Sequence, residues 1–211
     1  ASVKSDTLWN YEAGIKRTFA GGRASFNASA FYIDWTDIQT GFVLPTCGFS
    51  FSGNAGKATS KGVELDFTVR PFSSVTINAS GSFTDAKLET DSPPGNGVGG
   101  RKGDRLPGIP RWSVQAGVQY DFSLFEREGF ARVDGKYLSG YFNRFPGATA
   151  TAEPGGDFAV FDARLGLDIT PKIQAEVFAS DIFDTKQLLI VDTEIPDNRE
   201  LLGRPRTIGA T

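Results

Sequence analysis

Strict alternation between apolar and polar side chains is the feature that most constrains how this chain can fold. Residues 63–70 read VELDFTVR, in which every odd-numbered residue is apolar and every even-numbered residue, from Glu64 to Arg70, carries a charge or a hydroxyl. Because successive side chains of a β-strand point to opposite faces, this stretch predicts a strand with one hydrocarbon face and one hydrophilic face. The fold then depends on which of the two faces meets water.

The same period of two recurs along the sequence, and no stretch has the 3.6-residue period of an amphipathic helix. The pattern predicts an all-β chain of about nine strands. The alternating stretches are residues 10–16, 25–32, 63–70, 75–83, 112–120, 130–137, 161–168 and 173–179, with a final segment near 201–211.

The connections between these stretches alternate between short and long. The short ones are residues 20–22, 71–74, 123–129 and 170–172. The long ones lie near 41–60, 86–110, 141–157 and 184–200, and they are rich in Gly, Pro, Asn and Asp. This predicts an antiparallel up-and-down sheet with compact turns at one end and long loops at the other. Connections of that length are uncommon in compact domains unless they have a function.

Composition removes several classes of function. The chain has 22 Lys and Arg against 25 Asp and Glu, a net charge of -3, so it lacks the basic surface of a nucleic-acid-binding protein. It contains no histidine, which removes Ser-His-Asp and Cys-His catalysis and nearly every zinc site from these residues. We therefore expect a protein that is not an enzyme and that holds no metal or cofactor.

Two further counts concern the chain as a whole. The 211 residues include no Met, which indicates a piece cut from a longer protein. The single cysteine, Cys47, cannot form an internal disulfide bond. A free thiol and a bond to a partner outside this piece are both open for Cys47.

The polar face is expected to be the inner face of a membrane barrel. On the apolar face, large side chains are interspersed with Ala and Gly, unlike the dense aliphatic core of a soluble sandwich. Trp112 and Tyr120 share this face and lie roughly 26 Å apart along the strand. That distance approaches the separation of the two aromatic girdles of a transmembrane β-barrel. A soluble β-sandwich, which would bury the apolar face, is the alternative.

Four segments carry a resemblance to a known family. They are NAGKATSKGVELDF (54–67), RLPGIPRWSVQAGVQYDF (105–122), ASDIFDTK (179–186) and GRPRTIGAT (203–211). Together they resemble the C-terminal half of the barrel of TonB-dependent outer-membrane receptors. One position departs from the pattern, because Asp181 stands where Asn is usual.

The resemblance implies a fold and a location. Residues 1–211 are expected to form a C-terminal portion of a transmembrane β-barrel, about nine strands of about 22. The turns would be periplasmic, the loops extracellular, and the barrel would lie in the lipid of a Gram-negative outer membrane. The plug domain of the family would precede Ala1, and the terminal aromatic residue of its last strand is not matched by Thr211.

The resemblance also implies active uptake of a scarce nutrient, most often a ferric siderophore. The driving partner would be the TonB–ExbB–ExbD complex, acting through the plug-bearing part of the protein. Cobalamin, haem and oligosaccharides are alternative cargoes. A passive porin-type barrel is a further alternative.

Two sets of residues are candidates for contact with cargo. Eight charged side chains are expected on the watery inner wall: Glu64, Asp66, Arg70, Arg132, Asp134, Lys136, Asp162 and Arg164. They form either a translocation surface or a solvated wall of compensating charges. In the loop segment SGYFNRFPG (139–147), aromatic rings and a guanidinium could bind an anionic aromatic ligand. Those side chains are Tyr141, Phe142, Arg144 and Phe145, and the alternative is an aromatic cluster that anchors the outer rim.

Two other segments carry weaker signals. The loop sequence GNGVGG (95–100) satisfies a dinucleotide-binding spacing of glycines, but no strand precedes it and no helix follows it, so we reject a nucleotide site. The segment CGFSF (47–51) is a second, weaker aromatic candidate for cargo contact.

Overall fold

A computed structural model describes residues 3–43, 50–54, 56–92, 99–145, 152–192 and 199–211. Within these ranges there is no α-helix, and a single 3-10 turn covers Ala20–Gly22. The described strands are β1 (Thr7–Phe19), β2 (Ala24–Thr36), β3 (Gln39–Val43), β4 (Ser50–Asn54), β5 (Ala58–Phe72), β6 (Val75–Leu88), β7 (Trp112–Leu124), β8 (Arg127–Leu138), β9 (Tyr141–Phe142), β10 (Pro154–Gly155), β11 (Phe158–Thr170), β12 (Ile173–Ser180), β13 (Leu188–Asp192), β14 (Arg199–Leu202) and β15 (Thr207–Ala210).

Nine of these strands form one antiparallel sheet, in the order β1-β2-β5-β6-β7-β8-β11-β12-β15. Each strand is hydrogen-bonded to the next long strand along the chain, which is the up-and-down topology that the alternation of short and long connections predicts. The all-β class and the nine strands are confirmed. The sheet is open, with β1 at one edge and β15 at the other, as a segment of a barrel would be.

The short turns are tighter than the sequence indicates. Strand β7 continues to Leu124 and β8 begins at Arg127, so the predicted connection 123–129 reduces to Phe125 and Glu126. Both residues have positive φ, 50° and 62°, which is the geometry of a two-residue hairpin turn whose twist matches the flanking strands. Such turns usually contain Asn-Gly or Asp-Gly. Phe125-Glu126 lacks that signal, so the sequence analysis did not predict a two-residue turn here.

The predicted final strand, 201–211, was too long. Residues 199–202 form β14, which pairs with β13 in a separate ribbon, and only Thr207–Ala210 joins the main sheet. Pro205 lies between them and has no N–H to donate to a ladder, so the strand cannot continue through it.

The long connections contain three small two-stranded ribbons that the sequence analysis missed. They pair β3 with β4, β9 with β10, and β13 with β14. Their strands span two to five residues, and a period of two cannot be recognised over so few positions.

Few side chains are buried in the described part of the chain. The apolar faces of the long strands stay exposed, with Val63 at 43% and Leu65 at 47%. The described residues hold no second sheet that could cover them as in a sandwich. No helix among these residues has the length and hydrophobicity needed to cross a membrane.

Packing is concentrated at the long-loop end of the sheet. Ile38, Ala58, Leu88 and Phe145 form a buried cluster, with Trp35 and Leu106 packed against it. We call these six residues the loop-base cluster. Because they come from the ends of β2, β5 and β6 and from the three connections that hold Ile38, Leu106 and Phe145, the cluster holds the loops onto the sheet.

Candidate functional site

The polar face of the sheet brings together predicted residues that lie far apart in sequence. Asp66 of β5 lies opposite Ser80 of β6, and Ser80 lies opposite Gln115 of β7. Gln115 in turn lies opposite Lys136 of β8. Since partners in adjacent strands project from the same face, these side chains form one continuous row across four strands. The same register places Glu64 opposite Ser82 on this face.

Five of the eight predicted wall residues line one recess on the polar face. They are Arg132, Asp134, Lys136, Asp162 and Arg164, and they meet in a space of about 360 Å³. We call this the basic recess, because three cations face two carboxylates there. It is the densest grouping of predicted residues in the described part of the chain.

Arg132 and Asp134 form the closest ion pair in the basic recess. Arg132 Nε lies 2.7 Å from Asp134 Oδ2, and Arg132 Nη2 lies 2.6 Å from Asp134 Oδ1. Two N–H groups of the guanidinium therefore bind the two oxygens of the carboxylate. Such a bidentate pair is stronger than one with a single hydrogen bond. It also donates weaker hydrogen bonds to Asn78 Oδ1 at 3.4 Å and to Gln119 Oε1 at 3.5 Å.

Like charges face each other across the β8–β11 ladder. Arg132 is the register partner of Arg164, and Asp134 is the register partner of Asp162. Like charges directly opposite are destabilising, so each needs a compensating contact. Asp162 Oδ1 accepts a hydrogen bond of 2.8 Å from the backbone N–H of Asp181. Arg164 is exposed and has no ion pair within the described ranges, which leaves its charge available to a ligand.

Gly117 makes room for the Arg132–Asp134 pair, and the sequence analysis missed it. A Cβ at this position would collide with Asp134 Oδ1 and would lie 3.0 Å from Arg132 Nη2. The signal was present in the pattern, because Gly117 occupies a polar-face position of β7 between Gln115 and Gln119. Without the register, nothing in the sequence connects it with β8.

A second recess adjoins the first and has the opposite charge. Glu64 and Asp66 line it together with Ser80 and Ser82, and Lys136 lies where the two recesses meet. Its volume is about 330 Å³. We call it the acidic recess. The wall therefore changes from negative at β5 to positive at β8 and β11.

Arg70 lies apart from the other predicted wall residues. It is exposed near the short-turn end of β5, where its backbone N–H donates to the carbonyl of Arg23 at 2.7 Å. It lines neither recess.

Aromatic rings also lie on the polar face, each across a glycine of the neighbouring strand. Cβ atoms built on Gly62, Gly166 and Gly209 would overlap the rings of Phe31, Phe130 and Phe178 respectively. Covering a strand glycine with a cross-strand aromatic ring protects a weak point of the sheet. This accounts for apolar rings on a face that is otherwise polar.

The loop candidates divide into two groups. Tyr141 and Arg144 line a cleft of about 570 Å³ together with Asn143 and Ile190. The Tyr141 hydroxyl donates to the carbonyl of Leu189 at 2.8 Å, and neighbouring Phe142 is 37% exposed. Phe145 is only 8% exposed and belongs to the loop-base cluster, so its ring packs against the protein. Cys47 and most of the segment 47–51 lie outside the described residues.

The segment ASDIFDTK forms a tight turn that fixes the last strand. Asp181 and Asp184 have φ of 51° and 55°, and Asp181 is 2% exposed. Asp181 accepts hydrogen bonds of 3.0 Å from Thr185 N–H and from Gln187 Nε2. Asp184 Oδ1 accepts from the N–H of Arg206, just before β15, at 3.1 Å. Asn and Asp are the side chains that best tolerate this backbone region, which explains why Asp181 can replace the usual Asn.

No group of three Asp, Glu, Cys or His side chains that could hold a metal occurs among the described residues. The acidic loop residues instead support the backbone. Asp91 Oδ1 accepts from Lys102 N–H at 2.6 Å, and Asp104 Oδ2 accepts from Arg101 N–H at 2.7 Å.

An open up-and-down sheet with an exposed apolar face and a charged opposite face defines a wall segment of a transmembrane β-barrel. Residues 2–180 match the family described as TonB dependent receptor-like, beta-barrel. The chain therefore belongs to the TonB-dependent receptor β-barrel family, and it is a C-terminal segment of that barrel.

Relatives and solved structures agree with this assignment. The chain is 30% identical to the ferrioxamine B receptor of Salmonella typhimurium over 131 residues, which is 62% of this chain and 17% of the receptor. The fold matches the ferric yersiniabactin uptake receptor FyuA from Yersinia pestis with a TM-score of 0.77, at 20% identity, over 97% of this chain and 29% of FyuA. It matches the ferric citrate transporter FecA with a TM-score of 0.68, at 17% identity, over 96% of this chain and 30% of FecA.

Membership of the family assigns the two faces and the two ends of the sheet. The protein lies in the outer membrane of a Gram-negative bacterium. The apolar face meets lipid. We expect the polar face with its two recesses to line the lumen. The short turns are periplasmic, and the long loops are extracellular. The chain spans less than a third of the relatives it matches.

Proposed function

We propose that this chain forms part of the barrel wall of an active transporter that takes up a ferric siderophore. In this proposal residues 1–211 are the C-terminal barrel portion, and a plug domain lies N-terminal to them. Energy comes from the TonB–ExbB–ExbD complex through that plug. The relatives support the cargo class, because a ferrioxamine B receptor, a ferric yersiniabactin uptake receptor and a ferric citrate transporter are among them.

The basic recess is the observation that supports passage along this wall. Arg132, Lys136 and Arg164 converge on the lumenal face, and only Asp134 and Asp162 oppose them. Catecholate and citrate complexes of Fe³⁺ are anionic, and Arg164 is exposed with no ion pair among the described residues. A surplus cation on a water-filled wall attracts an anion without binding it so tightly that it cannot leave.

Capture precedes passage in this mechanism. The extracellular cleft at Tyr141 and Arg144 receives the complex, because an aromatic face and a guanidinium suit a planar anionic ligand. Exposed Phe142 lies next to it in the chain. TonB-driven rearrangement of the plug then opens the lumen. The complex moves past the recesses toward the periplasm, and no bond of the cargo is broken.

Uptake by the complete receptor tests the proposal. A strain that lacks the gene is complemented with the full-length protein and supplied with radioactive iron as hydroxamate, catecholate or citrate complexes. Cobalamin, haem and an oligosaccharide serve as alternative cargoes in the same assay. We expect accumulation of at least one ferric siderophore, and we expect that accumulation to stop when TonB is deleted or the proton gradient is collapsed.

Uptake through a passive porin-type barrel would not depend on an energy source. In that case uptake would persist without TonB and would follow the concentration gradient of the solute. If only cobalamin, haem or an oligosaccharide accumulated, the proposal of an active transporter would stand and the ferric siderophore would be the wrong cargo.

A further inference from the structure

The lipid-facing side of the sheet carries a groove between β5 and β7. Ala79 and Gly81 of the intervening strand β6 form its floor, because their side chains are too small to fill the space between larger neighbours. Its walls include Val63, Leu65, Trp112 and Val114, and its volume is about 370 Å³. The groove is lined almost entirely by hydrocarbon.

A group of cations lies just beyond the extracellular end of this groove. Lys61 and Asp85 are register partners, two residues beyond the register pair Val63 and Phe83. Two residues correspond to roughly 7 Å along the strand, so the charges follow directly after the apolar walls. Lys87 Nζ lies 2.8 Å from Asp85 Oδ2. We call Lys61, Asp85, Lys87, Arg105 and Arg111 the rim patch.

The rim patch has more positive charge than it can neutralise internally. Arg111 Nη2 lies 3.7 Å from Asp85 Oδ1, and Arg105 pairs opposite Lys87 across an isolated bridge. Four cations thus share one carboxylate. The side chains of Lys87 and Arg111 are 37% and 45% exposed, whereas that of Asp85 is 15% exposed, so the surface presents the cations.

Neighbouring groups do not cancel this surplus. Asp34 is engaged by Lys57 at 3.0 Å, a hydrogen bond that raises the pKa of Lys57. Glu89 accepts a hydrogen bond of 2.7 Å from Thr59. Arg105 donates to the carbonyl of Ile109 at 2.9 Å, and although burial lowers its pKa, a guanidinium remains protonated in proteins.

We propose that the groove and the rim patch together bind one phosphorylated acyl lipid of the outer leaflet. Its phosphate lies on Lys61, Lys87 and Arg111, and one acyl chain lies along Ala79 and Gly81. The charges are complementary, and the groove is continuous with the surface that already contacts lipid. A neutral lipid would use only the groove, and a soluble anion would use only the rim patch. The inference rests on the outer-membrane location and is independent of the cargo.

Native mass spectrometry of the full-length receptor, purified in detergent, tests the headgroup site. The probes are diphosphoryl lipid A and its dephosphorylated form. Lys61→Gln/Lys87→Gln/Arg111→Gln removes three cations of the rim patch. Arg17→Gln/Arg127→Gln/Lys172→Gln removes the same charge from exposed positions at the short-turn end. We expect the first triple variant to retain the diphosphoryl lipid at least about tenfold less than wild type, and the second to retain it like wild type. Equal losses in both variants, or equal retention of the two lipids by wild type, would overturn the headgroup site.

Filling the groove tests the acyl-chain site independently. A Cβ on Gly81 has its nearest neighbours at 3.6 Å, so Gly81→Leu extends into the groove without strain. Ala175→Leu adds hydrocarbon at an exposed position of β12, outside the groove. We expect Gly81→Leu alone to shorten retention of both lipids, and unchanged retention would overturn the acyl-chain site. Heat-modifiable migration on gels shows whether each variant has folded.

Discussion

Gly117 is the register partner of Asp134, and the space above Gly117 is where the Asp134 carboxylate meets Arg132. A Cβ at residue 117 would collide with the Asp134 carboxylate and would lie 3.0 Å from Arg132 Nη2. The bidentate ion pair on the polar face therefore depends on a residue with no side chain in the neighbouring strand.

We expect Gly117→Ala to weaken the coupling between Arg132 and Asp134. In the wild-type background a double-mutant cycle with Arg132→Ala and Asp134→Ala should give a coupling of about 0.5–1 kcal/mol, because the pair is only half-buried. In the Gly117→Ala background the coupling should approach zero. Urea unfolding of the full-length receptor measures it. Gly81→Ala, which adds a methyl at ordinary van der Waals distance from its neighbours, serves as the control, and a loss of coupling there would contradict the explanation.

The turn at Asp181 gives a second prediction, which concerns stability. Asp181→Ala removes the acceptor of the half-buried Thr185 N–H and leaves Gln187 Nε2 with only the Arg204 carbonyl. It also places Ala at a φ of 51°. We expect a loss of about 2–3 kcal/mol in the free energy of unfolding.

Asp181→Asn is the matched control for that variant. Asn keeps one acceptor oxygen for the Thr185 N–H and tolerates the same backbone. Its NH2 group cannot accept from Gln187 Nε2, but that donor keeps its hydrogen bond to the Arg204 carbonyl. We expect a loss below about 1 kcal/mol. Equal effects of Ala and Asn would show that backbone conformation and hydrogen bonding at this turn contribute little to stability.

The third prediction distinguishes the two faces of the sheet with neighbouring residues. Ala116 and Gln115 lie midway between Trp112 and Tyr120 on β7, but on opposite faces. Ala116→Arg places a charge in lipid and should destabilise the folded barrel by about 2–4 kcal/mol. Gln115→Arg places the same charge in the watery lumen and should cost less than about 1 kcal/mol. Urea titration of the receptor folded into liposomes provides both values, and equal costs would contradict the assignment of the faces.

The sequence predicts the nine-stranded sheet well because alternation is a local property that the barrel wall repeats in every strand. Glu64 and Asp66 alternate with Val63 and Leu65 whatever their neighbours are, so alternation alone shows which residues share a face. The ends of the strands depend instead on backbone hydrogen bonding and turn conformation. Pro205 stops the last strand, and Phe125 and Glu126 form a turn without its usual residues.

The candidate site could be predicted only as a set of residue types. Parity places Arg132, Asp134, Asp162 and Arg164 on the wet face, but only the register reveals that like charges face each other. The positions of Gly117 and Phe145 also depend on contacts between distant segments. Phe145 looks like an exposed ligand-binding aromatic in the sequence, and it packs in the loop-base cluster because Leu88 and Ile38 meet it there.

The fourth prediction concerns transport and uses Arg164 and Arg70. Arg164→Glu gives the basic recess three carboxylates against Arg132 and Lys136, so it should repel an anionic ferric siderophore. We expect uptake by cells carrying the full-length receptor to fall about tenfold at low ionic strength and less in high salt. Arg70→Glu makes the same change of charge in the same nine-stranded sheet, but outside both recesses. It should leave uptake near the wild-type rate. Surface abundance of each variant, measured by labelling an extracellular tag, separates loss of transport from loss of protein. If both variants transport equally well, the basic recess is a solvated wall of compensating charges, and the path of the cargo lies along another part of the lumen.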